Sequence, residues 1–345
     1  MNADNFAFIS GNGNYPLNNA ILARLHELTA WDLQFLHLDF DAFPDGESDL
    51  RIPQYPKLNG KHVIIFQSMT TLELIDELLT LVWAAKYQYG AQSVTCVLPF
   101  CAYRRQDHPD KPQEIERSRY LANQLAAAGV SRVIFCDIHS QRVIDNFQAH
   151  QIEVVNVTAA PIFVDTLLPI VTINRQQGRL VVVDSPDLGS LLRAMSVAKL
   201  LQAPVGLGLK NRLVTGQTET RSSEDILNNL RQQYPDCEFL SDVDLRDALV
   251  ISLDDEVASG GTSQKRARYL LQEVGVKEVL FCATHPVLIS GWRRTFLDPS
   301  VNQFSRIFIG NTRHRPYKYK TGGLITTVDV SSVIAEGLYL VLAKL

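Results

Sequence analysis

Residues 249–263 read LVISLDDEVASGGTS, an apolar run that ends in two adjacent carboxylates and passes into a serine, two glycines and a threonine. Gly260 and Gly261 permit positive φ and close backbone approach to a ligand, and Ser259 and Thr262 flank them with hydroxyls. The next residues, SQKRARYLLQEV, carry helical apolar spacing, so a helix is expected to open at the glycine turn. Amides at a helix N-terminus, joined to a glycine nest, make an anion site that fits a phosphate monoester. Asp254 and Asp255 stand just upstream, where carboxylates accept hydrogen bonds from vicinal hydroxyls. Acids beside a phosphate cup predict a sugar phosphate, although an ordinary strand–turn–helix can carry the same string. The nucleoside-triphosphate string G-x-x-x-x-G-K-[ST] does not occur, and the G-x-G at 11–13 and at 206–208 does not extend to a dinucleotide fingerprint.

Other polar groups close apolar runs in the same way. In VIFCDIHS, Asp137 and His139 are two apart and share a face if the backbone is extended. A carboxylate oxygen and an imidazole nitrogen there suit Mg²⁺ or its waters around a nucleotide, whereas a lone histidine is more often a hydrogen-bonded core residue. VLPFCAYRRQD brings Arg105, a side chain built for bidentate phosphate contact, to another strand end. Lys210 and Arg212 flank Asn211 and point the same way on an extended segment. Paired cations of this kind stabilise the charge on a transferring phosphoryl group. FPDGES at 43–48 contains Pro-Asp-Gly, a common turn string.

The elements that must position these groups are legible. Strands are expected at 6–9, 63–67, 93–98, 133–136, 180–184, 248–253, 278–283 and 306–309. Helical spacing runs through 72–89, 118–128, 190–201 and 263–274. Strand and helix in alternation predict an α/β fold, parallel sheets covered on both faces by helices. Ligands in such sheets bind beyond the carboxyl ends of the strands. Similar strand ends recur in each half, which predicts two related tandem domains with a boundary near 158–162.

Composition sets the class. A chain of 345 residues, 46% of them hydrophobic, suffices for two domains with cores. The net charge of −4 offers no global attraction to nucleic acid or to an acidic membrane. Five cysteines, an odd number with no C-x-x-C pair, fit buried thiols in a reducing compartment. No secretion signal is visible at MNADNFAFISGN and no apolar run reaches membrane-spanning length. A cytoplasmic location is expected.

LDDEVASGGTS resembles the phosphoribosyl-diphosphate loop shared by type I phosphoribosyltransferases and ribose-phosphate pyrophosphokinases. FPDGES, LPFCAYRRQD, DIHSQ, DSPDLGSLLRA, LKNR and ATHPVLISG follow the order of the pyrophosphokinase motifs over nearly the whole chain. The resemblance implies two tandem type I phosphoribosyltransferase-like domains, each a mostly parallel sheet flanked by helices. The first, 1–158, lies on the ATP side and the second, 159–324, on the ribose 5-phosphate side; 325–345 form a C-terminal helix that packs back on the first. It implies diphosphoryl transfer from Mg–ATP to the C1 hydroxyl of ribose 5-phosphate, leaving AMP. By the same resemblance Lys210 and Arg212 are catalytic. Phe43, Asp45, Glu47, Arg105, Gln106 and Asp107 bind ATP. Arg212, Asp254, Asp255, Ala258, Ser259, Gly260, Gly261 and Thr262 bind ribose 5-phosphate, and Asp137, His139 and Asp187 serve Mg²⁺. The FPDGE turn implies a homo-oligomer, dimer or hexamer, in which one subunit completes its neighbour's adenine site.

The chain departs from the family at several points. Many members carry a third aspartate where Ala258 stands and threonine where Ser259 stands. His108 replaces a usual basic residue. SDLRIPQYPKLNG after the FPDGE turn, the stretch 213–248 and RHRPYKYK at 313–320 also differ. Two competing readings follow: a catalytically silent, nucleotide-binding regulatory relative, which Ala258 favours, and a phosphoribosyltransferase, which the RRQD and KNR strings oppose.

Overall fold

The computed structural model describes residues 2–109, 111–186, 189–207, 223–240, 244–314 and 321–345, with 223–226 as backbone alone. The chain divides into two compact units. One takes in the described residues among 1–158, 312–316 and 329–345, the other those among 159–311 and 317–328.

In the first unit β1 (Phe6–Ser10), β2 (Phe35–Leu36), β5 (His62–Phe66), β6 (Ser93–Leu98), β7 (Arg132–Cys136) and β8 (Glu153–Val157) form one sheet, in the order β2-β1-β5-β6-β7-β8. Every neighbouring pair is parallel. The inner strands FAFIS and HVIIF are buried at every residue because helices cover both faces. These helices include α1 (Tyr15–Thr29), α2 (Leu72–Trp83), α3 (Arg117–Ala128) and α4 (Gln141–Gln148). Thr71 caps α2 by accepting from the Leu74 N–H at 3.4 Å, and Ile75, Leu78, Leu81 and Val82 face the core at helical spacing. The expected helix at 72–89 is α2 followed by a wide turn over Ala84–Gln88. Between β2 and β5, β3 (Asp39–Ala42) and β4 (Ser48–Arg51) pair antiparallel as a two-stranded ribbon.

The second unit opens with α5 (Ala160–Gln176). Its sheet runs β10-β9-β11-β12-β13-β14, again parallel throughout. The strands are β9 (Val181–Ser185), β10 (Val205–Leu207), β11 (Leu249–Val257), β12 (Glu278–Pro286), β13 (Arg306–Gly310) and β14 (Ile325–Val328), with α6 (Leu191–Leu201), α7 (Ser223–Gln233), α8 (Gly261–Tyr269) and α9 (Trp292–Leu297) between them. Part of 325–345, expected as helix, is therefore strand: β14 edges the second sheet. The helix itself, α10 (Ser331–Leu342), packs in the first unit against α1, β7 and β8.

Two findings bear on the site. The sheets share one topology: in each, the second strand is outermost, the first sits inside it, and the order reverses beside the first. In open α/β sheets that reversal is where ligands bind, between β1 and β5 in the first unit and between β9 and β11 in the second. In addition, β11 and β12 outrun their expected ends at 253 and 283, because the ladder between them holds to Val257 and Pro286. The paired acids thus lie inside a strand rather than beyond one.

Candidate functional site

The second unit's reversal point is built by the end of β11. Burial alternates along it: Leu253, Asp255 and Val257 are buried, while Asp254, Glu256 and Ala258 are half-buried. Side chains of an extended strand leave alternately on its two faces, but the Asp254 carboxyl bends back to accept from the Asp255 N–H at 2.8 Å and meets the Asp255 carboxyl. Asp255 lies 3.8 Å from the guanidinium of Arg193 on α6, a largely buried pair. Burial, reinforced by the charge of Asp255, pushes the Asp254 carboxyl up to about 8 against the opposing pull of Arg193. The adjacent carboxyls of Asp254 and Asp255 therefore favour holding a proton between them over both being ionised.

After Ala258 the chain turns at Gly260, whose φ of 78° is left-handed. A Cβ there would sit 2.1 Å from Cζ of Phe296, so glycine is required by conformation and by space. The Gly261 N–H donates to Ser259 Oγ at 3.4 Å, α8 begins, and the Ser259 and Thr262 side chains are exposed. Two anchors fix this helix. Gln264 donates to Thr295 O and Asn302 Oδ1 and accepts from the Gln303 N–H. Arg266 makes a bidentate pair with Asp184 at the end of β9, at 2.6 and 3.1 Å, with both side chains largely buried. The backbone N–H groups of Leu288 and Ile289 donate to Val257 O and Ala258 O, bracing the turn from the β12 side. The result is a braced strand end, a glycine turn and the first turn of α8 beside half-buried acids. It can seat an anion and hydroxyls together.

The equivalent crevice in the first unit is filled by its own side chains. Asn12 donates from its backbone and its side chain to Glu77 at 2.8 and 3.0 Å, the Gly13 N–H donates to Gln67, and Gln67 donates to Glu77. A Cβ on Gly11 would fall 2.7 Å from Glu77 Oε1. The residues expected on the ATP side lie instead at the ends of β6 and β7. Arg105 and Gln106 are exposed. Asp107 is buried: its Oδ2 accepts from Ser140 Oγ, and its Oδ1 lies 2.8 Å from His108 Nδ1. Burial would raise its pKa, but the hydrogen bonds from Ser140 and His108 outweigh this and hold it below the ordinary range. Ser140 also caps α4 by accepting from the Val143 N–H. Asp107 thus ties the RRQD loop to the turn that carries Asp137 and His139.

That turn is not extended. β7 ends at Cys136 and Asp137 is left-handed at φ 45°, so strand alternation does not put Asp137 and His139 on one face. The Ile138 N–H is held by Asn156 Oδ1 at 3.0 Å. Arg104, 2% exposed, and Arg313 stack on the Phe100 ring at 4.7 and 4.6 Å, a contact that sequence reading did not foresee. Among the described residues no three His, Cys, Asp or Glu side chains gather as a metal site. Phe43, Asp45 and Glu47 occupy the exposed tip of the β3–β4 ribbon, closed by Phe43 N–H to Glu47 O and Glu47 N–H to Asp45 Oδ1. Asp187, Lys210 and Arg212 lie outside the described residues.

The five cysteines are free, and burial raises the thiols of Cys96, Cys101, Cys136 and Cys282, Cys101 to about 12, so these four are no nucleophiles at neutral pH. No helix among the described residues is long and apolar enough to cross a membrane.

Reading β11 as ending at 253 hid Glu256, which the period-two alternation of LDDEVA would have placed beside Asp254. Arg193 and Arg266 were given no role from sequence, since charged residues on helices normally face water; Asp184, at the end of β9, opens the DSPDLGSLLRA string but was likewise given none.

Comparison with known proteins follows this geometry. Residues 6–129 match the family model described as the N-terminal domain of ribose phosphate pyrophosphokinase. The chain is 32% identical over 248 residues to the ribose-phosphate pyrophosphokinase of Campylobacter jejuni, covering 71% of this chain and 70% of that protein. It is 27% identical over 338 residues to that of Aquifex aeolicus, covering 96% and 94%. The phosphoribosylpyrophosphate synthetase of Mycobacterium smegmatis, at 21% identity, superposes with a TM-score of 0.75 over 99% of each chain and shares the fold.

Proposed function

The chain belongs to the ribose-phosphate pyrophosphokinase family, and we propose that it transfers the diphosphoryl group of ATP to the C1 hydroxyl of ribose 5-phosphate, giving phosphoribosyl diphosphate and AMP. The observation that carries this reading is the β11–α8 turn: glycine-lined amides for a 5-phosphate, with carboxyl groups one strand turn upstream for the sugar hydroxyls. With the phosphate seated at Ser259, Gly260, Gly261 and Thr262, and the hydroxyls on Asp254, the C1 oxygen attacks the β-phosphorus in line. The new C1–O–Pβ linkage forms, the Pα–O–Pβ bridge breaks towards AMP, and the hydroxyl proton passes to solvent. Asp255 acts at one remove, through Arg193.

Arg105 and Gln106 are exposed for contact with the triphosphate, and Asp107 holds their loop. Lys210 and Arg212 are assigned the neutralisation of charge on the diphosphoryl group in flight. Asp137, His139 and Asp187 are assigned to Mg²⁺ by the family resemblance, since the ion keeps several waters and needs few protein ligands; when bound it would supply charge neutralisation at the polyphosphate. Nucleotide and sugar phosphate are the expected partners, and the exposed ribbon tip with Phe43, Asp45 and Glu47 fits an adenine site completed between subunits of a homo-oligomer. The location expected for this chemistry is cytoplasmic.

The test is direct. Incubation with ribose 5-phosphate, Mg²⁺ and ATP is expected to yield AMP and phosphoribosyl diphosphate in equal amounts. AMP no higher than in a protein-free blank overturns the proposal and leaves the silent regulatory relative.

A further inference from the structure

The face of β11 that leads into the glycine turn carries Asp254 and Glu256, the two half-buried positions of an otherwise buried strand, and half-buried Ala258 follows just past its end. Asp255, the buried neighbour, lies 3.8 Å from Arg193 and also meets the Asp254 carboxyl. Ala258, the next residue in line before the turn, offers nothing to a hydroxyl. The same face nevertheless holds a second acid one step back. Positions 254 and 256 are about 6.6 Å apart along an extended strand, a span comparable to a pentose ring with its substituents. Glutamate also reaches about 1.5 Å further than aspartate through its extra methylene, which recovers part of the distance to position 258. The ladder holds Glu256 in place, paired in register with His285 of β12.

We propose that Glu256 is a substrate-contacting residue, accepting hydrogen bonds from the vicinal hydroxyls of the pentose in place of the carboxylate that position 258 lacks. The inference rests on the proposed function and names a contact that the motif does not. It also gives the acidic face a division of labour. Burial and the neighbouring Asp255 raise the Asp254 carboxyl, so that the Asp254–Asp255 pair favours carrying a proton. Glu256 then supplies the acceptor oxygens, and the pair presents less negative charge to an incoming phosphate than two ionised aspartates.

The experiment is steady-state kinetics on Glu256→Gln and on the double variant Glu256→Gln with Ala258→Asp, with thermal unfolding as a control. Loss of a charged hydrogen bond is expected to raise KM for ribose 5-phosphate about tenfold or more, with KM for ATP within about twofold. The double variant is expected to recover most of that loss, which a merely structural glutamate would not allow. KM for ribose 5-phosphate unchanged in Glu256→Gln overturns the inference. Should that variant fail to fold, Glu256→Asp reads the same contact by shortening its reach: a raised KM supports the inference and an unchanged one overturns it. The unmodified chain separates the two levels. If it makes no phosphoribosyl diphosphate, the functional proposal and this inference fall together; if it turns over and the variants match it, this inference falls alone.

Discussion

At the residue scale, one glycine and one carboxyl group make the sharpest claims. Gly260 has no room for a methyl group against Phe296 and sits in left-handed backbone. Gly260→Ala is expected to destabilise the second unit by about 2 kcal/mol or more and to weaken ribose 5-phosphate binding, as read by denaturant melts and calorimetry. Burial and the adjacent Asp255 push the Asp254 carboxyl up from the ordinary 3.8 to about 8. The folded state therefore holds a proton that the unfolded chain releases, and stability falls as pH rises from about 4 to about 8, levelling beyond. Asp254→Asn is expected to flatten that slope, giving a higher melting temperature than the parent at alkaline pH. Equal slopes in the two proteins would remove the raised carboxyl from the account. Lys210→Ala is expected to abolish turnover with unfolding unchanged, and full turnover would remove Lys210 from catalysis.

At the scale of elements, stability and positioning rest on braces between strand ends and helix starts. The Ser140 hydroxyl spans Asp107 and the first turn of α4. Asp107→Ala or Ser140→Ala is expected to loosen the Asp137–His139 turn and weaken ATP binding about tenfold, with ribose 5-phosphate binding retained; calorimetry with each ligand separates the two. Helix α10 shows how a distant segment completes a layer. Gly337 lets it close on β8, since a Cβ there would stand 2.4 Å from Val157 Cγ1. Gly337→Ala is expected to cost about 1–3 kcal/mol through overpacking, measured by urea denaturation.

At the scale of the whole molecule, one topology appears twice and is used differently. The proposed function assigns the second unit's reversal point to a ligand, whereas the first unit fills its own with Gln67 and Glu77. The exposed ribbon tip adds a prediction that only an assembly can meet. If one subunit's Phe43, Asp45 and Glu47 complete another's adenine site, a Lys210→Ala chain mixed with a chain altered at all three tip positions regains turnover that neither has alone. Mixed assemblies with no activity would place the tip outside the nucleotide site.

The sequence determined the α/β class, the parallel inner strands and the glycine turn, because each is written in local periodicity or in a residue type that backbone geometry demands. It missed the exposed ribbon β3–β4 and the edge strands β2, β8, β10 and β14, all short or half-exposed with too little apolar alternation to register. It ended β11 at the acids because charge normally closes a strand; only the ladder to β12 carries the chain on to Val257. That extension sends Asp255 inward to Arg193 and aligns Glu256 with Asp254. Tertiary structure alone could decide it, since side-chain direction on a strand follows from where hydrogen bonding to a neighbour stops, and the neighbour lies far away in the chain.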